Sequence, residues 1–297
     1  MKKRIITGAV YVLVILALVI LKWMVPDGYG SLGFDALFCA VSVIGCIEFL
    51  NAFKGVSFYQ RVITIAFCAV IIPLYVIVQL TMEDGLFAVL CCGALYAFIL
   101  SALNIFDFGN SNVRGTMICF TAMLYCGVLS CVLSALNHLP ENSLAVIILT
   151  FIAVSFADSG AYIIGSIFKR WVPYKLAPKV SPNKTIIGSV GALIGGMLGA
   201  IVAYYIYYGI SKVNISDVVA GTPLLYDGAL PGVVLFLILG LAISIISQIG
   251  DLFESAMKRE CGIKDSGKLL PGHGGVLDRF DSMLFSGVII LLAFLLI

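Results

Sequence analysis

The chain has 297 residues, of which 61% are hydrophobic and only 11% charged, with a formal net charge of +2 at pH 7. Soluble domains hold roughly 45–50% apolar residues, so this composition excludes an ordinary soluble protein. Several runs exceed the ~18 apolar residues that mark a bilayer-spanning helix, and solid blocks of this kind exclude a β-barrel, whose strands alternate. The fold class is all-α polytopic membrane protein.

The first predicted element covers 5–25, after the basic start Lys2-Lys3-Arg4. A cleaved signal peptide would need a small-x-small site, but the run ends in Lys22, Trp23, Met24 and Pro26, so it reads as an uncleaved first span. Further spans are predicted near 34–52, 62–81, 85–105, 115–136, 144–168, 186–209, 229–250 and 282–297, about nine in all. Of nine Cys, only Cys261 lies in a polar loop, and none has metal-ligand or disulfide-framework spacing.

With the N-terminus in the cytoplasm, every one of the 18 Lys and Arg except Lys22 and Lys212 falls on the cytoplasmic side. That is the bias expected of inner loops, and it puts the C-terminus on the opposite side. The polar loops 169–185 and 251–281 then share the cytoplasmic side. Polar residues are sparse in spans 1–5, so 1–140 reads as a transmembrane scaffold and 141–297 as the working half.

Two acids lie within spans. Glu48 is near the cytoplasmic end of the second, and Asp158 is about ten residues from the end of the sixth, on the order of 15 Å deep. Intramembrane acids mark a cavity or pathway by default; a structurally paired carboxylate is the alternative, with more weight at Glu48 than at Asp158. His138, in a short outer loop, reads as a surface residue.

The loop KRWVPYKLAPKVSPNKT is basic, with Trp171 and Tyr174 placed as interfacial anchors for anionic headgroups. Its last part brings Ser181, Asn183, Lys184 and Thr185 ahead of span 7, as either a phosphate site at a helix N-terminus or a plain helix cap.

The stretch 251–281 gathers much of the chain's charge. Asp251, Glu254, Ser255 and Lys258 follow i, i+3, i+4, i+7 spacing and share a helical face. Asp278 and Asp281 are three apart at the start of span 9. Three Asp at the ends of two adjacent spans make an oxygen-rich site suited to a hard cation such as Mg²⁺; ordinary ion pairs on a solvated face are the alternative. Between them, Gly272, Gly274 and Gly275 permit the positive φ of an anion-cradling turn, and Lys264, Lys268, His273 and Arg279 offer charge to phosphate oxygens. Residues 262–268 imitate a P-loop, but Leu269 stands where its Ser or Thr would be and no strand precedes.

The run Ser255, Lys258-Arg259, Lys264-Asp265, Gly267, Leu270-Pro271-Gly272-His273-Gly274-Gly275, Asp278-Arg279 and Asp281 resembles the signature of the phosphatidate cytidylyltransferases, or CDP-diacylglycerol synthases. Gln248-x-Gly250-Asp251-Leu252, Asp158-x-Gly160-Ala161-Tyr162 and Ser181-Pro182-x-Lys184-Thr185 are similar to that family too. The likeness covers roughly 150–283. It departs at Ile187, where the family usually has an acid.

The resemblance implies that phosphatidic acid and CTP give CDP-diacylglycerol and pyrophosphate, with Mg²⁺ and room for a second metal ion. Asp251, Asp278 and Asp281 would hold the metal. Lys258, Arg259, Lys264, Lys268 and Arg279 would bind CTP and lipid phosphates, with Asp265, Gly272, Gly274, Gly275, Ser181, Lys184 and Thr185 lining the substrate site and Asp158 beneath. His273 would be a phosphate contact or gate, or less readily a general acid. The attacking lipid phosphate is already anionic, so no Ser, Cys or His nucleophile is needed. A homodimer in the bacterial inner membrane, its active site facing the cytoplasm and with no nucleic-acid partner, completes the expectation. Two alternatives stay open: another membrane lipid nucleotidyl- or phosphotransferase, and an ion-coupled transporter motivated by Glu48, Asp158 and the Gly-rich span 7. Transporters place polar groups at repeated, broken helices, and no repeat is evident here. An enzymatically silent family member with a scaffold role has only Ile187 in its favour.

Overall fold

The structure is a computed structural model that describes residues 2–25, 29–107, 109–140, 142–168, 170–172, 174–213, 232–270, 272 and 274–296. In chain order the helices are α1 Lys2–Met24, α2 Leu32–Ala52, α3 Phe58–Met82, α4 Gly85–Phe106, α5 Val113–Asn137 and α6 Ser143–Phe168. A hairpin of β1 Lys175–Ala177 and β2 Ser181–Thr185 leads into α7 Ile186–Val213, followed by α8 Gly232–Glu260 and α9 Leu277–Leu296. Among the described residues, 8 helices are long and apolar enough to cross a membrane. The expected ninth span falls on α9, whose first turns spend Asp278, Arg279 and Asp281 on polar positions and leave a shorter apolar stretch. The loop expected at 169–185 contains the hairpin, which its length and basic composition did not announce.

The chain forms two compact units: Met1–His138 with Lys258–Phe280, and Leu139–Met257 with Asp281–Ile297. In the first, α3 and α5 start where the sequence supplies an acceptor. Ser57 and Gln60 form a reciprocal capping box at α3, and the Asn112 side chain accepts from Gly115 N at 2.7 Å to start α5. Gln60 is fully buried, and its Nε2 donates to Thr116 Oγ1 at 3.0 Å, while Asn104 Nδ2 reaches the same hydroxyl at 2.7 Å. Hydrogen bonds of this kind hold membrane helices together where apolar packing gives no advantage over lipid. The middle of α5, Met123–Val128, is π-helical, and Gly127 there admits the Phe67 ring of α3.

His138 is not a surface residue. Its Nε2 lies 2.8 Å from Asp35 Oδ2, and Ser134 and Asn137 donate to Asp35 Oδ1 at 2.6 and 3.0 Å. Asp35 follows the start of α2, so the end of α5 folds back onto it. The sequence reading failed because the partner is about a hundred residues away.

In the second unit, α6 and α7 meet along glycines. A Cβ at Gly195 would stand 2.3 Å from the Phe156 carbonyl oxygen, and one at Gly160 would stand 2.4 Å from that of Gly191. The opposite side of α7 meets α8, where Gly196 leaves no room beside Ser244 and Gly240. Small residues let backbones approach this closely, which is how helices associate without a hydrophobic driving force.

Candidate active site

In the second unit the hairpin positions the chemistry. β2 runs straight into α7, and Thr185 Oγ1 accepts from Gly188 N at 3.1 Å, the helix-cap alternative read from the sequence. The residue before it, Lys184, reaches α8 and pairs with Asp251 Oδ2 at 2.5 Å. Ser189, one turn into α7, donates a short hydrogen bond to Gln248 Oε1, one turn before Asp251. Together with Asp158 of α6, these side chains line one cavity of about 490 Å³. That is within the roughly 300–1,000 Å³ of small-molecule sites. Asp158, Lys184, Thr185 and Asp251 therefore line one cavity, while Ser181 sits on β2 and is not part of the lining.

One helical turn beyond Asp251, Glu254 is buried and hydrogen-bonds the carboxyl of Asp281, which also feels the Asp251 charge. Two carboxyl groups in contact must share a proton or a cation. Their oxygen donors suit a hard divalent ion. Among the described residues no three His, Cys, Asp or Glu side chains are gathered closely enough to hold an ion by themselves. Mg²⁺ rarely asks for that, since it binds through one or two carboxylates plus substrate phosphates and water. Asp251 and Asp281 fit such a part.

In the first unit, the end of α8 closes with Gly262 at φ 68°, with Ile263 N donating to Lys258 O at 2.9 Å and Gly262 N to Arg259 O at 3.1 Å. This glycine-ended stop releases the chain into the signature loop. The loop folds on itself through Leu270 N to Gly274 O at 2.9 Å, with Gly272 and Gly274 at φ 81° and 86°. Asp278 organises it. Its Oδ1 accepts from Lys258 Nζ at 2.7 Å and Ser266 Oγ at 3.3 Å, and its Oδ2 from Ser266 N at 2.9 Å and Gly275 N at 2.8 Å. Burial pushes this carboxyl up, but the Lys258 ammonium and the two N–H donors outweigh it and hold Asp278 below the ordinary value. Lys264, Asp265, Lys268, Gly272 and Arg279 are exposed. His273 lies outside the described residues.

The match to known proteins agrees with this geometry. The model of the Cytidylyltransferase family matches residues 2–297. The chain belongs to the cytidylyltransferase family. It is 34% identical to a phosphatidate cytidylyltransferase of Bacillus subtilis over 96% of this chain and 94% of the relative. A Haemophilus influenzae phosphatidate cytidylyltransferase is 43% identical over 57% of this chain and 50% of its own, and one from Synechocystis is 40% identical over 51% and 44%. The cytidylyltransferase assignment makes the protein a nucleotidyl-transferring membrane enzyme, and the transporter alternative loses its footing. Glu48, one of the features that motivated it, is bound to backbone N–H groups at the start of α9.

Three site features escaped the sequence reading. Ser189 carried a readable signal, one helical turn after Thr185 on the same face. Glu254 was placed on the Asp251 face but given no role. The bond from Glu48 to residues 276 and 277 had no local signal at all.

Proposed function

We propose that the protein transfers the cytidylyl group of CTP to phosphatidic acid, giving CDP-diacylglycerol and pyrophosphate. The observation that carries this reading is the single cavity shared by Asp158, Lys184, Thr185 and Asp251, residues from three separate motifs. The names of the relatives supply the substrates.

An oxygen of the lipid phosphate attacks the α-phosphorus of CTP, the bond to the bridging oxygen breaks, and pyrophosphate leaves with the electron pair. No proton need be removed from the nucleophile, so the chain's task is alignment and charge neutralisation. Lys184 and Lys258 are held ready by Asp251 and Asp278, and each ammonium can turn from its carboxylate to a phosphate oxygen. Arg259, Lys264, Lys268 and Arg279 add positive charge from exposed positions. The Gly272 and Gly274 turn keeps side chains away from an approaching phosphate, and Thr185 lines the cavity beside Lys184. Asp251 and Asp281 would hold Mg²⁺, which binds through one or two carboxylates plus substrate phosphates. When bound, the ion would neutralise charge on the α-phosphate and the leaving pyrophosphate. A homodimer in a bacterial inner membrane, with both polar loops on the cytoplasmic side, completes the proposal; the distribution of Lys and Arg supports that orientation.

Purified protein given CTP, phosphatidic acid and Mg²⁺ should release pyrophosphate and form a CDP-lipid, and a chelator should stop both. Absence of a CDP-lipid product in the wild type would refute the reading.

A further inference from the structure

Among the described residues, the last helix receives the acceptor for its opening N–H groups from a distant segment. Its first residue is Leu277, and Val276 before it has no side-chain acceptor to offer the unpaired N–H groups of the first turn. Glu48 supplies it from α2, 228 residues away in sequence: Oε1 accepts from Val276 N at 3.1 Å and Oε2 from Leu277 N at 3.0 Å. Glu48 is 8% exposed, and its carboxylate sits where the helix end is positive.

The same carboxylate explains two glycines of the signature. A Cβ at Gly267 would lie 2.1 Å from Glu48 Oε1, and one at Gly275 would lie 2.4 Å from Oε2. Neither is among the positive-φ glycines, which in this loop are Gly262, Gly272 and Gly274. Gly267 and Gly275 are thus glycine because Glu48 fills the space of a side chain. Three consecutive N–H groups end up gripped by two acids, Gly275 by Asp278 and the next two by Glu48.

We propose that Glu48 is a positioning residue for nucleotidyl transfer: it fixes the start of α9 and the glycine loop, and so sets the direction of Asp278 and of the Lys258 ammonium paired with it. The inference rests on the cytidylyltransferase reading for its effect on rate, and on geometry alone for its effect on the loop.

The test uses full-length wild type, E48A, E48Q, G267A and E48A/G267A, with G93A as control because nothing lies within 4 Å of that site. Amide exchange over residues 274–280 of unliganded protein should rise at least about tenfold in E48A and stay at the wild-type rate in G93A. In CTP turnover, E48A should lose about ten- to a hundredfold in kcat, with KM for CTP within about threefold, the pattern of a displaced group rather than a lost contact. E48Q keeps an acceptor oxygen and should recover part of the loss. G267A should cost about tenfold alone and almost nothing more in the E48A background, where its methyl enters vacated space. Wild-type exchange in E48A, or additive losses in the double variant, would overturn the proposal. If E48A does not fold, E48Q carries the test, since its amide NH₂ faces one of the two backbone N–H donors: exchange over 274–280 should rise, and a wild-type rate there overturns the proposal. A wild type without CDP-lipid product removes the proposed function but leaves the exchange result to decide the role of Glu48.

Discussion

Lys184 of β2 and Asp251 of α8 form an ion pair at 2.5 Å on the wall of the cavity, with side chains 25% and 34% exposed. A pair so open to solvent adds at most about 1 kcal/mol to stability. Its value is in presenting an ammonium and a carboxylate to a ligand. K184A should therefore leave the melting temperature nearly unchanged while lowering kcat/KM for CTP by on the order of a hundredfold. D251N should lower kcat by about a thousandfold. The exchange K184D/D251K restores the pair but not the polarity of the site, and activity should stay absent. Recovery in that double variant would make the pair structural.

Asp278 has the opposite character. Its side chain is only 5% exposed, and it takes hydrogen bonds from Lys258, Ser266 and Gly275. Removing one member of a buried pair leaves the other charge uncompensated, so D278A should cost about 3 kcal/mol of stability as well as activity. Because the folded state holds this carboxyl below its ordinary 3.8, its contribution is present above that pH and is lost as pH falls through the lower folded value. Thermal melts of wild type and D278N should thus converge in strong acid and separate at neutral pH. A gap independent of pH would show that the Asp278 charge does not stabilise the loop.

The spans and the motif positions were legible because both are local properties. Apolar run length fixes a helix, and i, i+3, i+7 spacing puts Asp251, Glu254 and Lys258 on one face. What stayed hidden was pairing over distance. Glu48 reads from the sequence as an acid within a span and His138 as a surface residue, and each meets its partner from a distant segment. The hairpin at 175–185 was hidden for another reason. Its strands are 3 and 5 residues long, too short for alternation to register, and β2 merges directly into α7.

The Asp35 cluster supplies a structural control. Lys22 Nζ donates to Ser31 Oγ at 2.7 Å and to Asn137 O at 2.8 Å, tying the end of α1 to the group around Asp35 and His138. All belong to the first unit, and none is in the cytidylyltransferase signature. H138A should lower stability by about 1–3 kcal/mol, the cost of an unsatisfied buried acceptor. KM for CTP and turnover per folded molecule should match the wild type. A large change in KM for CTP would show that this cluster communicates with the nucleotide site.

The glycine seams offer the sharpest contrast between positions that look alike in sequence. G195A drives a methyl to 2.3 Å from the Phe156 carbonyl oxygen, a backbone atom that cannot rotate away. G196A collides with Ser244 Oγ, a small side chain with other rotamers, but it also comes within 2.9 Å of the Gly240 carbonyl oxygen. Overpacking of this sort costs about 1–3 kcal/mol, and at Gly195 it would push α7 from α6. Because α6 carries Asp158 and the start of α7 follows Lys184, G195A should also lower kcat. G209A, on the same helix with nothing within 4 Å, should be neutral or slightly stabilising, since alanine favours helix by up to about 1 kcal/mol over glycine. Melting and turnover of the three variants, measured side by side, check the ordering. Equal behaviour of G195A and G209A would mean that α6 and α7 do not pack through this seam.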